Sequence, residues 1–542
     1  MATYLSPGVY VEEVPSAVKA IAGVGTSTAG FIGVVPDTIL TSQTRKIIKE
    51  SIGKGTAAGT ATFDLKVYPV ATDGPFEMRV AGTVATATLK NDDLAGKSRV
   101  TFDTAPANNA AIEGDYTAFV SEPLVIPTGA VAKEAIAAGD GSTTVFDLRT
   151  AAITDPATFE MRVNGVAKSA TITNDIAARK ARVTFAQAPA DKTKIDGDYI
   201  AATFPAAAGE PKLCTNFTEF KKFFGDFMGN KDHNYLAHAV YGFFNNGGSR
   251  CWVMRLASAG DLTTHLPKFE AIDEIAIVAA PGFADPTSRD AITTHCRVAT
   301  QDRFAIFDPK ETVTAVEASA LDKPPNSDYA AFYFPWIQVF DPIEKKNNPK
   351  GDGLIFVPPS GHIAGVYARV DTERGVHKAP ANEVLLGALG LKYQVSKAQQ
   401  DGLNPSGINC IRVTNGNIRV WGARTVGGDA NADLKYVNVR RTLLFLRESI
   451  DEGTQWVVFE PNTPALWQSI TRNVTAFLTN VWRSGALFGN TPQEAFYVKC
   501  DKETNPPELR EVGQVVTEIG VAIVRPAEFV IFRIQQVPPL TK

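Results

Sequence analysis

The chain is short of cysteine, and the cysteine it has shows no pattern. Cys214, Cys251, Cys296, Cys410 and Cys500 are scattered, odd in number and free of any Cys-x-x-Cys spacing. That spacing argues against a disulfide framework and against a zinc site, and implies reduced core residues. Long hydrophobic runs are also missing. Nowhere do 18 apolar residues follow one another, and Met1-Ala-Thr-Tyr-Leu-Ser-Pro-Gly has neither the basic nor the apolar region of a secretory leader. The expectation is an aqueous compartment with no direct membrane insertion. An excess of positive charge is absent too. The formal net charge of -4 advertises no basic face, so nucleic acid is not an expected partner.

Signatures of chemistry are equally scarce. There is no Gly-x-Ser-x-Gly, no His-Glu-x-x-His and no phosphate-cradling glycine motif. His233 and His238 are five apart, about 140° around a helix, and make poor joint metal ligands. His265, His295, His362 and His377 stand alone. Ser360-Gly361-His362, in a proline-rich stretch, comes nearest to a catalytic cluster and reads as a solvated turn. A triad built from distant segments would be visible only as geometry. No catalytic residue, cofactor or metal is therefore assigned, and the chain is expected not to be an enzyme.

What is present is material for several domains. At roughly 150 residues per domain, 542 residues allow three or four, and 44% hydrophobic with 21% charged residues is an ordinary globular balance. The strongest internal signal is a repeat. Phe63-Asp-Leu returns as Phe146-Asp-Leu, Phe76-Glu-Met-Arg-Val as Phe159-Glu-Met-Arg-Val and Gly114-Asp-Tyr as Gly197-Asp-Tyr, each displaced by 83 positions. Residues 63–116 match 146–199 at 26 of 54 positions without a gap. Short alternating runs such as Arg99-Val-Thr-Phe and Arg182-Val-Thr-Phe, separated by turn residues, predict a duplicated all-β sandwich over 45–122 and 123–205, thin in its core.

Beyond Pro211 the pattern changes. Helical spacing runs from Phe217 to Phe244 and stops at Asn245-Asn-Gly-Gly. Apolar runs at 251–256, 275–280 and 303–308, with a polar helical stretch between the last two, predict a parallel α/β layer. Two further helices are predicted, from about Ala432 to Ile450 and from Thr463-Pro464 to Trp482. The second puts Leu466, Ile470, Val474, Phe477, Leu478 and Val481 on one face. A hydrophobic strand, Glu528 to Gln535, is expected near the end.

Several segments resemble contractile tail sheath proteins. They are Ser6-Pro-Gly-Val-Tyr-Val-Glu-Glu-Val with Gly23-Val-Gly-Thr-Ser-Thr-Ala-Gly-Phe-Ile-Gly, and Phe243-Phe-Asn-Asn-Gly-Gly-Ser-Arg-Cys-Trp-Val-Met-Arg. Gly375-Val-His-Lys-Ala-Pro-Ala-Asn-Glu, Leu403-Asn-Pro-Ser-Gly-Ile-Asn, Val420-Trp-Gly-Ala-Arg-Thr and Tyr436-Val-Asn-Val-Arg-Arg follow in order. Gln455-Trp-Val-Val-Phe-Glu-Pro-Asn, Trp482-Arg-Ser-Gly-Ala-Leu-Phe-Gly and Arg525-Pro-Ala-Glu-Phe complete the match. The resemblance covers about 1–36 and 206–536, and the duplicated module is a departure from it.

The resemblance implies a helical homopolymer around an inner tail tube, attached to baseplate and tail terminator proteins, in a virion tail or contractile injection particle assembled in the bacterial cytoplasm. It implies a core that is subtilisin-like in fold only, and an organisation into an N-terminal arm (1–22), core (23–44 and 206–420), C-terminal domain (421–524) and C-terminal arm (525–542). The arms would exchange strands between subunits through Gly8, Val9, Tyr10, Val11, Phe529, Val530, Ile531, Phe532 and Ile534. On the residues alone, pairing within one subunit serves those strands equally well. Arg472 and Arg483 lie on a predicted helix without acidic residues and are candidate contacts to an acidic tube, or else two solvated arginines. A surface-binding adhesin, carried by the duplicated module, and a subtilisin-like hydrolase are the rival readings.

Overall fold

The computed structural model describes residues 20–54, 61–65, 76–92, 97–123, 125–154, 158–176, 178–529 and 531. The chain divides into a larger unit, residues 1–35 with 206–542, and a smaller one, Pro36–Pro205.

The larger unit is built on a nine-stranded sheet. Its strands in chain order are β1 (Ala29–Val34), β2 (Lys212–Cys214), β3 (Cys251–Leu256), β4 (Ile277–Ala279), β5 (Phe304–Phe307), β6 (Ala330–Phe334), β7 (Glu383–Val384), β8 (Ile408–Thr414) and β9 (Asn417–Val420). They lie in the order β2-β3-β1-β4-β5-β6-β8-β9-β7. The run β3-β1-β4-β5-β6-β8 is parallel throughout. A parallel sheet is covered on both faces, so its strands are continuous apolar runs rather than alternating ones. Ala-Gly-Phe-Ile-Gly-Val in β1 and Ala-Ala-Phe-Tyr-Phe in β6 are accordingly buried at every position.

The helices of eight or more residues are α1 (Phe217–Phe224), α2 (Lys231–Asn245), α3 (Pro286–Thr294), α4 (Ser360–Arg374), α5 (Val437–Thr454) and α6 (Pro464–Arg483). The single helical stretch expected over 217–244 is two helices. Gly225, at φ 95°, ends the first, and the Asn230 side chain caps the second by accepting from the His233 N–H. Apolar spacing runs across this break because both helices bury phenylalanines. Helices α2 and α4 pack closely because Gly361 and Gly365, one turn apart, face Ala239 and the Phe243 backbone, where a Cβ would clash. The C-terminal layer combines α5, α6 and a two-stranded ladder, Phe496–Lys499 with Glu518–Val521. Its core is the apolar face of α6, with Leu466, Ile470, Val474, Phe477 and Leu478 buried together with Phe496.

In the smaller unit both halves of the sequence repeat adopt the same arrangement. In the first half, Thr38–Lys54, Ala111–Pro123, Glu77–Val80 and Thr83–Ala85 make one sheet, and Thr62–Asp64, Lys97–Phe102 and Ala87–Asp92 another. The second half pairs Ile126–Ala138, Lys194–Thr203, Phe159–Val163 and Val166–Lys168, and separately Val145–Asp147, Lys180–Phe185 and Ala170–Asp175. The small cores correspond residue by residue. Met78, Val100, Phe102, Ile112 and Tyr116 are buried in one half, and Met161, Val183, Phe185, Ile195 and Tyr199 in the other. Edge-to-face pairs Phe63–Phe102 and Phe146–Phe185 both have ring centroids 6.0 Å apart. Arg79 with Asp115 at 3.0 Å is matched by Arg162 with Asp198 at 2.8 Å.

Arg255 on β3 marks where this unit is spliced into the other. Its guanidinium donates to the Val35 carbonyl at 2.6 Å and to the Ala206 carbonyl, so the chain leaves and re-enters the larger unit at one side chain.

Candidate functional site

The first turn of chain described, residues 20–26, lies along α5 and not within the sheet. Ile21 is buried in the C-terminal core beside Leu446 and Trp467. Glycine at 453 makes room for it, since a Cβ there would lie 2.5 Å from the Ile21 side chain. The Val24 N–H donates to the Ser449 hydroxyl at 3.1 Å, and the Thr26 hydroxyl to Asp371 at 2.7 Å. Arg441 donates to Asp371 at 2.9 and 2.6 Å and to the Thr26 carbonyl at 2.8 Å. Residues 21–26 are thus held against α5 before the chain enters β1.

Residues 524–528 are held by a carboxylate. Glu528 accepts from Nε and Nη2 of Arg424, each at 2.8 Å, from the Asn404 amide at 2.8 Å and from the Tyr436 hydroxyl at 2.8 Å. Burial would push the Glu528 carboxyl up, but the bonds from Arg424, Asn404 and Tyr436 outweigh it and hold the group below the usual carboxylate range. Upstream, Asn438 donates to the Val524 carbonyl at 3.2 Å and the Val524 N–H donates to Ala486 at 3.2 Å. An open cleft of about 1140 Å³ lies here, with Trp421, Ala423, Tyr436, Arg525 and Phe529 among its walls. Sequence reasoning missed Arg424, Asn404, Tyr436 and Glu528 as a site. The available signal was that each falls in a different segment of the family resemblance.

Of the expected strand-exchange residues, Gly8, Val9, Tyr10, Val11, Val530, Phe532 and Ile534 lie outside the described residues. Phe529 and Ile531 are described; they are 71% and 80% exposed and belong to no strand. A strand exists only with a hydrogen-bonded neighbour, and the described residues of one chain offer these two none.

Arg472 and Arg483 are both exposed on α6. Eleven residues apart, they fall within about 20° of each other around the helix. Gln468, Ala476 and Asn480 share this exposed side, and the helix contains no acidic residue.

The catalytic-looking cluster is not a solvated turn. Ser360, Gly361 and His362 form the buried first turn of α4. Asp308, just past β5, accepts from the Ser360 N–H at 2.8 Å, the Ser360 hydroxyl at 2.6 Å and the Gly282 N–H at 3.2 Å. It caps the helix from across the fold, and burial raises its carboxyl to about 6. His362 packs against Gly242, and burial lowers its imidazole to about 3. Ser360 thus hydrogen-bonds a carboxylate directly, with no imidazole between them to act as base. His238 and Asn234 donate to Asp341 at 2.8 and 2.9 Å, and His233 bonds the Phe224 carbonyl, so the two histidines serve different partners. Among the described residues no group of three His, Cys, Asp or Glu side chains could hold a metal ion, and no helix is long and apolar enough to cross a membrane.

Known proteins resemble this chain over most of the larger unit. The model of the phage tail sheath protein central domain matches residues 257–426, and that of the phage tail sheath C-terminal domain matches 429–537. The tail sheath protein of Burkholderia phage BcepMu is 26% identical over 211 residues, 38% of this chain and 42% of that protein. A chain of the anti-feeding prophage baseplate is 31% identical, with a TM-score of 0.53 over 61% of this chain and 88% of that one. The sheath complex of the extracellular contractile injection system PVC, in the contracted state, gives 29% identity and a TM-score of 0.53 over 61% and 88%. The chain spans about half the length of the curated relatives it matches.

Proposed function

Because this chain belongs to the contractile tail sheath family, we propose that it is the repeating subunit of a helical sheath that surrounds an inner tube and contracts to drive that tube through a target envelope. The observation that carries this reading is the pair of arm roots. Each is anchored by side chains, at opposite ends of α5, and the C-terminal arm continues outward with Phe529 and Ile531 exposed. Exposed apolar residues on a fixed root are suited to strand addition on a neighbour. The exchanging segments are Gly8 to Val11 and Phe529 to Ile534. A contact that joins different surfaces of successive copies repeats without closing, which makes an open helix.

The exposed side of α6, with Arg472 and Arg483, faces the inner tube in this reading, supported by its single sign of charge. The smaller unit is an insert of two β-sandwich modules in the sequence of the larger, and the core is subtilisin-like in fold without the chemistry. The domain limits follow the arms, core and C-terminal domain given above. Baseplate and terminator proteins cap the polymer, in a tail or injection particle assembled in the bacterial cytoplasm. Electron microscopy of the purified chain mixed with its tube protein tests the reading. Striated tubes are the expected result, and a chain that stays monomeric on preformed tubes refutes it.

A further inference from the structure

The two arms enter and leave through a single element. Residues 21–26 run along most of α5, from Ile21 on Gly453 in its last turn to Thr26 on Arg441 in its second. Residues 524–528 meet its other end, through Asn438 and through Tyr436, the residue that begins the helix. Arg424, which grips Glu528, pairs across an antiparallel bridge with that same Tyr436. Gly453, where Ile21 docks, and Tyr436, which holds Glu528, stand about 26 Å apart along the helix axis. Both couplings are therefore made before the chain enters the nine-stranded sheet and after it has left it.

Resting on the reading of the arms as linkers, we propose that α5 is the strut carrying tension between them, with Ile21–Gly453 and Glu528–Arg424–Tyr436 as its couplings. Load arriving on one arm passes along the helix to the other and largely bypasses the sheet. The α/β core is joined to the strut mainly along its N-terminal half, by Arg441 on Asp371, Arg440 beside Asp328 and Asn438 on the His377 carbonyl, so that it hangs from the strut rather than linking its two ends. Ile21, Gly453, Arg424, Tyr436 and Glu528 are positioning residues in this scheme. Glycine at 453 keeps the N-terminal coupling close, and the four bonds to Glu528 give the C-terminal coupling a direction as well as strength.

Single full-length chains held by their two ends under constant force test this, without any assembly step. Glu528→Gln removes the charge from the clamp and Gly453→Ala pushes Ile21 away, while Ile306→Ala opens a cavity in the sheet. The first two are expected to shorten the lifetime under load about tenfold each, the equivalent of about 1.4 kcal/mol. Ile306→Ala should lower the urea midpoint yet leave that lifetime unchanged. Equal lifetimes for wild type and Glu528→Gln, or an Ile306→Ala chain that yields as fast as Glu528→Gln, overturn the strut. Failure of the arm reading would appear elsewhere, as arm variants that still assemble.

Discussion

Removing Asp371 tests how the C-terminal layer is tied to the sheet. Asp371 and Arg441 each have side chains 3% exposed, joined by two bonds of 2.9 and 2.6 Å. The guanidinium also lies 4.7 Å from the Tyr367 ring and bonds the Thr26 carbonyl. Asp371→Ala leaves a buried cation without its counter-charge, which costs about 3–5 kcal/mol. The Thr26 hydroxyl loses its acceptor in the same step, adding about 1 kcal/mol. Replacing both partners, Asp371→Leu with Arg441→Met, removes the stranded charge and should return stability to within about 1–2 kcal/mol of wild type. Urea titration followed by tryptophan fluorescence suits the measurement. All six tryptophans (Trp252, Trp336, Trp421, Trp456, Trp467 and Trp482) lie outside residues 36–205, so the signal reports the larger unit alone. A loss below about 1 kcal/mol for the single variant would mean that water reaches the guanidinium. A double variant as unstable as the single one would mean that the carboxylate acts through something other than this pairing.

Replacing Arg472 and Arg483 together by Glu should abolish co-sedimentation with tubes and leave the circular dichroism of the monomer unchanged; co-sedimentation at the wild-type level rejects the tube contact. Val11→Pro and Ile531→Pro should each give a folded monomer that forms no tubes by electron microscopy, since proline cannot donate to a ladder. Replacing residues 36–205 by a short Gly/Ser linker should leave the tryptophan-reported unfolding free energy in urea within about 1 kcal/mol of wild type, because loop length costs little and Arg255 already holds both ends. Asp308 has its folded pKa raised from 3.8 to about 6, so its contribution is full below 3.8 and is lost as pH rises through 6. The stability of wild type relative to Asp308→Asn should therefore fall between pH 4 and pH 7, and a flat difference across that window shows the carboxyl to be unperturbed.

Local pattern alone determined much of this protein. The 3.6-residue apolar spacing of 464–483 identified a helix and the side it buries, because one face of a helix meets one environment. The apolar runs at 251–256, 275–280 and 303–308 identified strands covered on both faces, which only a parallel layer between helices provides. Identity at a fixed offset revealed the duplicated module, and its paired cores and ion pairs follow from the shared residues.

Tertiary structure decided the rest. Ser360 and His362 read as a solvated turn because serine, glycine and proline usually mark one. Their burial depends on Asp308, which stands 52 residues away and supplies the cap. Ile21 had no visible partner, since the glycine that admits it is at 453, on the far side of the whole sheet in sequence. Glu528 meets Arg424, Asn404 and Tyr436 across separations of 104, 124 and 92 residues. Periodicity reports whether a side chain faces the interior, because that depends on its own element. Which distant group satisfies a buried charge, or which glycine leaves space for an isoleucine, depends on how elements are brought together, and no local spacing carries that information.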